Sequence, residues 1–204
     1  MCAARIGMLC CLVAAGCGGD APGPGELTGA VAPTEPGVEI PNPQYASWAD
    51  FPVGTAVVIR AVTRADGDPG ETVTTTTLTL REVSPVRVVV ESRAETRRYD
   101  GHVTANPPTR ADHSKTLRLP GGANADRPAG VTAEGTEAVT AGGRVYAAKW
   151  HETRDRNEAG DMVTRTWMSP AVPGGLVRSV VRTAAIGKTT TTEVVEVRRA
   201  AQGG

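Results

Sequence analysis

The chain has 204 residues, the length of one domain with appendages; 40% are hydrophobic, with Val ahead of Leu and Ile, and only 3% are aromatic. Its 22 basic residues balance 22 acidic ones, and the densest basic points, Arg97-Arg98 and Arg198-Arg199, read as solvated strand ends. That balance excludes the electrostatic footprint of a nucleic-acid binder.

Met1 to Arg5 form a short positive start, and Ile6 to Ala15 an apolar stretch. A transmembrane helix needs about 20 apolar residues, so this stretch is too short to span a bilayer. With small residues following it, the segment reads as a secretory signal. The small residues end at Ala14-Ala15-Gly16-Cys17. This arrangement resembles the lipobox of bacterial lipoproteins, with Ala14 standing where Leu is usual. The resemblance implies that residues 1–16 are removed and that the Cys17 thiol carries a diacylglyceryl group. Cys2, Cys10 and Cys11 fall in the removed segment, so Cys17 becomes the lone Cys, without a partner for an intramolecular disulfide. Loss of Arg5 leaves 21 basic against 22 acidic residues, formally −1. Two or more acyl chains hold a protein stably on a membrane. The expected location is therefore the cell envelope, lipid-anchored, with the domain on the extracytoplasmic side and the membrane as partner through Cys17.

Residues 17–44 are rich in Gly and Pro and poor in anything a core could use, a composition that cannot offset the entropy of ordering. They read as a disordered linker, spanning roughly 30 Å as a coil and ~90 Å fully extended.

From residue 45 to about 200 the hydrophobic period is two. Val86, Val88, Val90, Ser92 and Ala94 alternate with Arg87, Glu91, Arg93, Glu95 and Arg97, the mark of a half-buried strand. Residues 55–64 and 71–83 are strands joined by the turn Asp66-Gly67-Asp68-Pro69-Gly70. Periodicity fails between 99 and 130, where Pro107-Pro108, Pro120-Gly121-Gly122 and Pro128 break the chain. An irregular insert is expected there, with one short strand at 116–119. Further strands are expected at 136–140, 144–153, 161–169, 176–184 and 189–199, with Gly142-Gly143 as a hairpin turn. The fold class is all-β: an antiparallel meander of about eight strands, in a curved sheet or half-barrel, without a confident helix.

Ser47-Trp48-Ala49-Asp50-Phe51-Pro52-Val53-Gly54-Thr55, Thr79-Leu80-Arg81-Glu82-Val83, Trp167-Met168-Ser169 and Val172-Pro173-Gly174-Gly175-Leu176-Val177 carry a resemblance. Together they resemble a family of uncharacterised exported proteins abundant in planctomycete-type bacteria. More distantly, the meander with its late Trp and Pro-Gly-Gly-Leu-Val turn is similar to the half-barrels of periplasmic lipoprotein-carrier and lipid-carrier proteins. That likeness implies an acyl-chain ligand on a concave face.

No catalytic or metal-binding constellation emerges, and no cofactor is expected. His102 and His113 stand in the broken region. His151 has Glu152, Asp155 and Asp161 near it in sequence, but adjacent strand residues point to opposite faces. There is no His-Glu-x-x-His and no Gly-x-Ser-x-Gly. Glu91, Glu95, Glu193 and Glu196 alternate with Arg or Val and read as cross-strand ion pairs on a solvated face. Thr74 to Thr77 and Thr189 to Thr192 suit a wet sheet face. Trp150 and Trp167 fill the core or line a pocket. Two non-enzymatic functions follow: a binding or carrier module for a hydrophobic ligand, or a structural or protein-interaction component of the envelope.

Overall fold

A computed structural model of the chain describes residues 38–119, 130–157 and 160–200. Residues 1–37, including Cys17, lie outside them. In chain order come β1 (Val38–Pro41), α1 (Pro43–Ala49), β2 (Ala56–Arg64), β3 (Thr72–Val83), β4 (Arg87–Arg97), β5 (Val103–Ala105), β6 (Thr109–Ser114) and β7 (Thr116–Leu119). The second half holds β8 (Val131–Ala141), β9 (Arg144–Asn157), β10 (Gly160–Met168), β11 (Leu176–Thr183), a 3-10 turn (Ala184–Ile186) and β12 (Lys188–Arg198).

Ten strands form one open antiparallel sheet in the order β5-β4-β3-β2-β12-β11-β10-β9-β8, with β6 also paired to β4. The all-β antiparallel class is as expected. Twelve described strands replace the eight or so that periodicity predicts, and the path is not one meander. β2 crosses to pair with β12 from Thr63↔Thr190 to Ala56↔Arg198, which joins two meanders along a seam.

Three expectations are corrected. Residues 38–44, read as linker, belong to the fold. β1 pairs with β7, and the Asn42 side chain donates to the Ser114 carbonyl (2.7 Å) while accepting from the Gln44 N–H (2.9 Å). That second bond caps α1, a helix absent from the periodicity reading because it is barely two turns long; Pro43 at its first turn suits a helix start. In the supposedly irregular stretch 99–130, β5 and β6 both pair with β4, and β7 with β1. Most of their residues are exposed, so no apolar alternation marks β5 or β6. Residues 120–129 lie outside the described part.

The core is Val-rich. Val57, Leu80, Val88, Val172, Val177 and Val194 are fully buried, and Trp48 of α1 is 2% exposed. The residues that carried the family resemblance meet here as a structural corner. The Gly174 N–H donates to the Ser47 carbonyl (2.9 Å), the Gly175 N–H to Val172 (2.8 Å), and the Ser169 N–H to Gly175 (2.7 Å). Gly174 has φ +78, and a Cβ there would stand 3.1 Å from the Trp48 ring. Only glycine combines that backbone with so close an approach.

β-Bulges interrupt the ladders at Leu80/Glu82, Trp167/Met168 and Val194/Glu196 toward the α1 end, and at Val131/Ala133 toward the other. Bulges bend the strands that carry them and increase their twist. The sheet curls accordingly. The tip of the β8–β9 hairpin reaches back over β11 and β12: the Arg178 guanidinium donates to the Thr140 carbonyl (3.1 Å), and a Cβ on Gly142 would lie 2.7 Å from the Val195 carbonyl.

Candidate functional site

Register assigns each side chain of the six central strands to one of two faces, because directly opposed residues share a face. One face carries Ser92, Ala94 and Thr96 of β4, then Thr72, Thr74, Thr76 and Leu78 of β3. It continues through Ile59, Ala61 and Thr63 of β2 and Thr190, Thr192 and Val194 of β12. Ser179, Val181 and Thr183 of β11 and Met162, Thr164 and Thr166 of β10 complete it. From β4 to β10 its single charge is Lys188, at the far rim. The arginines and carboxylates of the same strands lie on the opposite face: Arg93, Glu95, Arg60, Glu193, Arg178 and Arg165 among them.

Apart from Lys188, every residue named on the uncharged face is buried or half-buried; Val194 belongs to the core, and Ile59 and Leu78 pack against it. Six of the hydroxyls on this face bond one another across strands: Thr63 with Thr190 (2.9 Å), Thr74 with Thr96 (3.0 Å) and Thr166 with Ser179 (3.4 Å). A hydroxyl already satisfied loses little when a ligand displaces its water, whereas an unsatisfied one is costly to cover. Where its hydroxyls pair, this face is thus better suited to an apolar guest than its Thr content suggests.

Two open depressions lie elsewhere. One, of about 500 Å³, is lined by Asp50, Phe51, Pro52, Pro170, Ala171, Arg199 and Ala200. The other, of about 260 Å³, lies on the charged face among Arg60, Val73, Thr75, Glu95 and Arg97. Both have mixed linings.

Of the residues singled out in the sequence, Cys17 lies outside the described part. His102 is exposed in the turn after β4, its N–H donating to Asp100 (3.0 Å). His113 in β6 faces Val88, and His151 faces Thr166 and Glu134. Burial lowers the pKa of both, opposed by Asp112 and Glu134 respectively. Among the described residues, no three His, Cys, Asp or Glu side chains gather where they could hold a metal. No described helix is long and apolar enough to cross a membrane.

Trp150 and Trp167 sit opposite each other on the charged face. The Arg165 guanidinium lies 4.3 Å from the Trp150 ring centroid and 3.3 Å from Glu152, and the Trp167 N–H donates to Glu137. These contacts make a closed stack that holds β8, β9 and β10 together. Glu193 and Glu196 pair with Arg178 (3.3 Å) and Arg198 (2.6 Å) as surface ion pairs.

Glu91 departs from the solvated reading. Its side chain is only 6% exposed and is held by Arg81 (2.6 Å), Arg93 (3.1 Å) and Arg110 (3.3 Å). The Arg81 hydrogen bond first, with Arg93 and Arg110 adding to it, lowers its pKa to about 2 against the opposing effect of burial. Arg110 comes from β6, an element that periodicity does not reveal, so the burial could not be anticipated. The cluster pins β6 to β4.

No family model and no curated protein matches the chain. Among solved structures, it is similar to a protein described as exported, with a YmcC-like fold, from Bacteroides fragilis: TM-score 0.45, 10% identity, 74% of this chain and 99% of that one. A protein described as a lipoprotein, from Parabacteroides distasonis, gives TM-score 0.43 and 12% identity over 76% and 99% of the two chains. A domain described as an outer membrane lipoprotein-sorting protein, from Vibrio parahaemolyticus, gives 0.25 and 8% over 74% and 86%. The neighbours are thus of the exported-lipoprotein and lipoprotein-sorting kind to which the sequence motifs were likened, and nothing about ligand or activity follows at these scores.

Proposed function

We propose that this protein is an exported lipoprotein, anchored through Cys17, whose β domain is a non-enzymatic binding or carrier module for a hydrophobic ligand. The observation that supports this reading is the segregation of charge across the sheet. A face on which six hydroxyls pair with one another, and whose single charge from β4 to β10 is Lys188 at the rim, lies back to back with the one that carries the Arg and Glu of the same strands. Placing an apolar guest on the first face strands no charge, and the second keeps the domain soluble. Mass spectrometry under native conditions, on the domain purified gently from its host, tests the reading. A stoichiometric acyl-chain ligand is expected, and Ala61→Arg in the middle of the uncharged face is expected to abolish it. An empty domain that also ignores a fluorescent fatty-acid probe would refute the carrier reading.

One observation favours the alternative, a structural or protein-interaction component of the envelope. The two depressions have mixed linings and the core beneath α1 is filled, so any guest lies on an open face. A folded partner could cover such a face as well as a lipid. Retention of an envelope protein by the immobilised domain, lost in Ala61→Arg, together with an empty native mass, selects that alternative.

A further inference from the structure

The two-stranded sheet β1–β7 stands apart from the main sheet and is amphipathic in a specific way. Register places Val38 and Ile40 of β1 and Leu117 of β7 on one face, with Glu39, Pro41, Thr116 and Arg118 on the other. The apolar face is open: Val38 is 59% exposed and Leu117 40%. Val86, 68% exposed, adjoins the base of the ribbon, its carbonyl accepting from the Lys115 N–H (2.7 Å). An apolar patch on a monomer commonly marks an interaction site.

Position decides what covers it. Val38 is the first described residue after Cys17, and twenty residues, 18–37, separate the two. Along the chain the ribbon is therefore the described part of the fold nearest the anchor. The segments outside the described residues supply little that could cover it. Residues 18–37 contain one Leu and one Val as their only large apolar residues, and residues 120–129 read PGGANADRPA. The distal end of the sheet, where Ile186 lies, is about 30 Å away, the length of a strand of nine or ten residues.

We infer that the apolar face of the β1–β7 ribbon, through Val38, Ile40 and Leu117, docks onto the surface of the bilayer that holds the acyl chains of Cys17. This inference rests on the lipid anchor proposed above. Docking fixes the domain upright, with the α1 end at the lipid and the distal end of the uncharged face pointing away from it. The tether then limits distance, while the ribbon sets orientation.

The full chain, produced with its own signal segment and reconstituted in phosphatidylethanolamine–phosphatidylglycerol vesicles, is the material for the test. Leu117→Cys and, separately, Val38→Cys carry a nitroxide, with Ile186→Cys as the distal control. The mature chain offers no other free thiol if Cys17 is acylated. Collision rates with oxygen and with a water-soluble nickel chelate report depth, and the mass of the mature chain reports acylation. The expected result is an acylated chain in which the oxygen-to-nickel ratio is several-fold higher at residues 38 and 117 than at 186. An acylated chain with all three labels in water overturns the docking and leaves the anchor intact. Dipolar broadening at 117 without lipid exposure identifies a second copy of the chain as the occupant and also overturns it. A mature chain without acyl groups overturns both the anchor and the docking.

Discussion

Gly135→Ala offers a test in which even the sign is informative. Gly135 lies within β8 opposite Trp150, and its φ is outside the positive region. On backbone grounds alone, alanine should stabilise by about 0.4–1 kcal/mol, since it narrows the unfolded ensemble. The side-chain geometry opposes this. An added Cβ would stand 2.9 Å from Cε2, Cζ2 and Nε1 of the Trp150 ring. Carbon contacts settle at about 3.5–4.0 Å, so the indole must withdraw by roughly 0.6–1 Å. The ring is not free to do so, because Arg165 lies over it at 4.3 Å and is itself paired with Glu152. Overpacking of this kind costs about 1–3 kcal/mol. The net expectation is destabilisation by about 0.5–2 kcal/mol, or a Tm lower by roughly 1–8 °C for a chain of this size. Urea unfolding followed by far-ultraviolet circular dichroism, on a soluble Cys17→Ala form, measures it. In a Trp150→Ala background the clash disappears, and the same substitution is expected to stabilise. Stabilisation by Gly135→Ala in the parent, or a coupling energy near zero in the double-mutant cycle, refutes the argument.

Trp48→Ala empties the centre of the α1 corner and is expected to lower stability by about 3–5 kcal/mol, read from the same unfolding curves. Gly174→Ala combines a left-handed backbone with a Cβ 3.1 Å from Trp48; a loss of about 1–3 kcal/mol is expected, and none would show that the turn relaxes. Glu91 has a pKa lowered from 4.5 to about 2, so its contribution is complete above the unfolded value and fades as pH falls toward the folded one. Glu91→Gln should therefore flatten the dependence of the urea midpoint on pH across that window, and an unchanged slope would rule out the arginine cluster as its source. His113 has a pKa lowered from 6.5 by burial. The unfolded chain takes up the proton first, so stability declines as pH falls through the unfolded value. His113→Gln is expected to reduce that decline, the remainder belonging to His151, and an imidazole titrating normally by nuclear magnetic resonance would contradict it.

Strands were legible where one face differed chemically from the other. The alternation of Val88, Val90, Ser92 and Ala94 with charged neighbours placed β4 correctly, and Gly142-Gly143 marked the β8–β9 hairpin. Legibility failed where that contrast was missing. In Thr74 to Thr77 and Thr189 to Thr192 both faces carry the same residue, so the uncharged face emerges only once register assigns alternate threonines to opposite sides. α1 was hidden in Pro- and Gly-rich surroundings. Its one signal, Trp48 among small and polar residues, became meaningful only through its contact with Gly174, far along the chain. Glu91 looked like any strand carboxylate because Arg110 reaches it from an exposed strand with no apolar face.

The strand order also bears on how the chain assembles. β2–β4 and β8–β12 are each a run of hairpins whose pairings are local in sequence, and a single seam, β2 against β12, joins them. Along that seam Thr63 meets Thr190, 127 positions apart in the sequence. Contacts of long sequence separation must overcome loop-closure entropy before they are rewarded, and they slow folding. Each run of hairpins can therefore form early, and the rate-limiting event is their zipping together. Truncations of Val57 and Val194, which flank the seam, should then slow refolding about as much as they weaken the native state. A chain opened between residues 119 and 130 would leave two complementary halves, each holding one of the two strands of that seam.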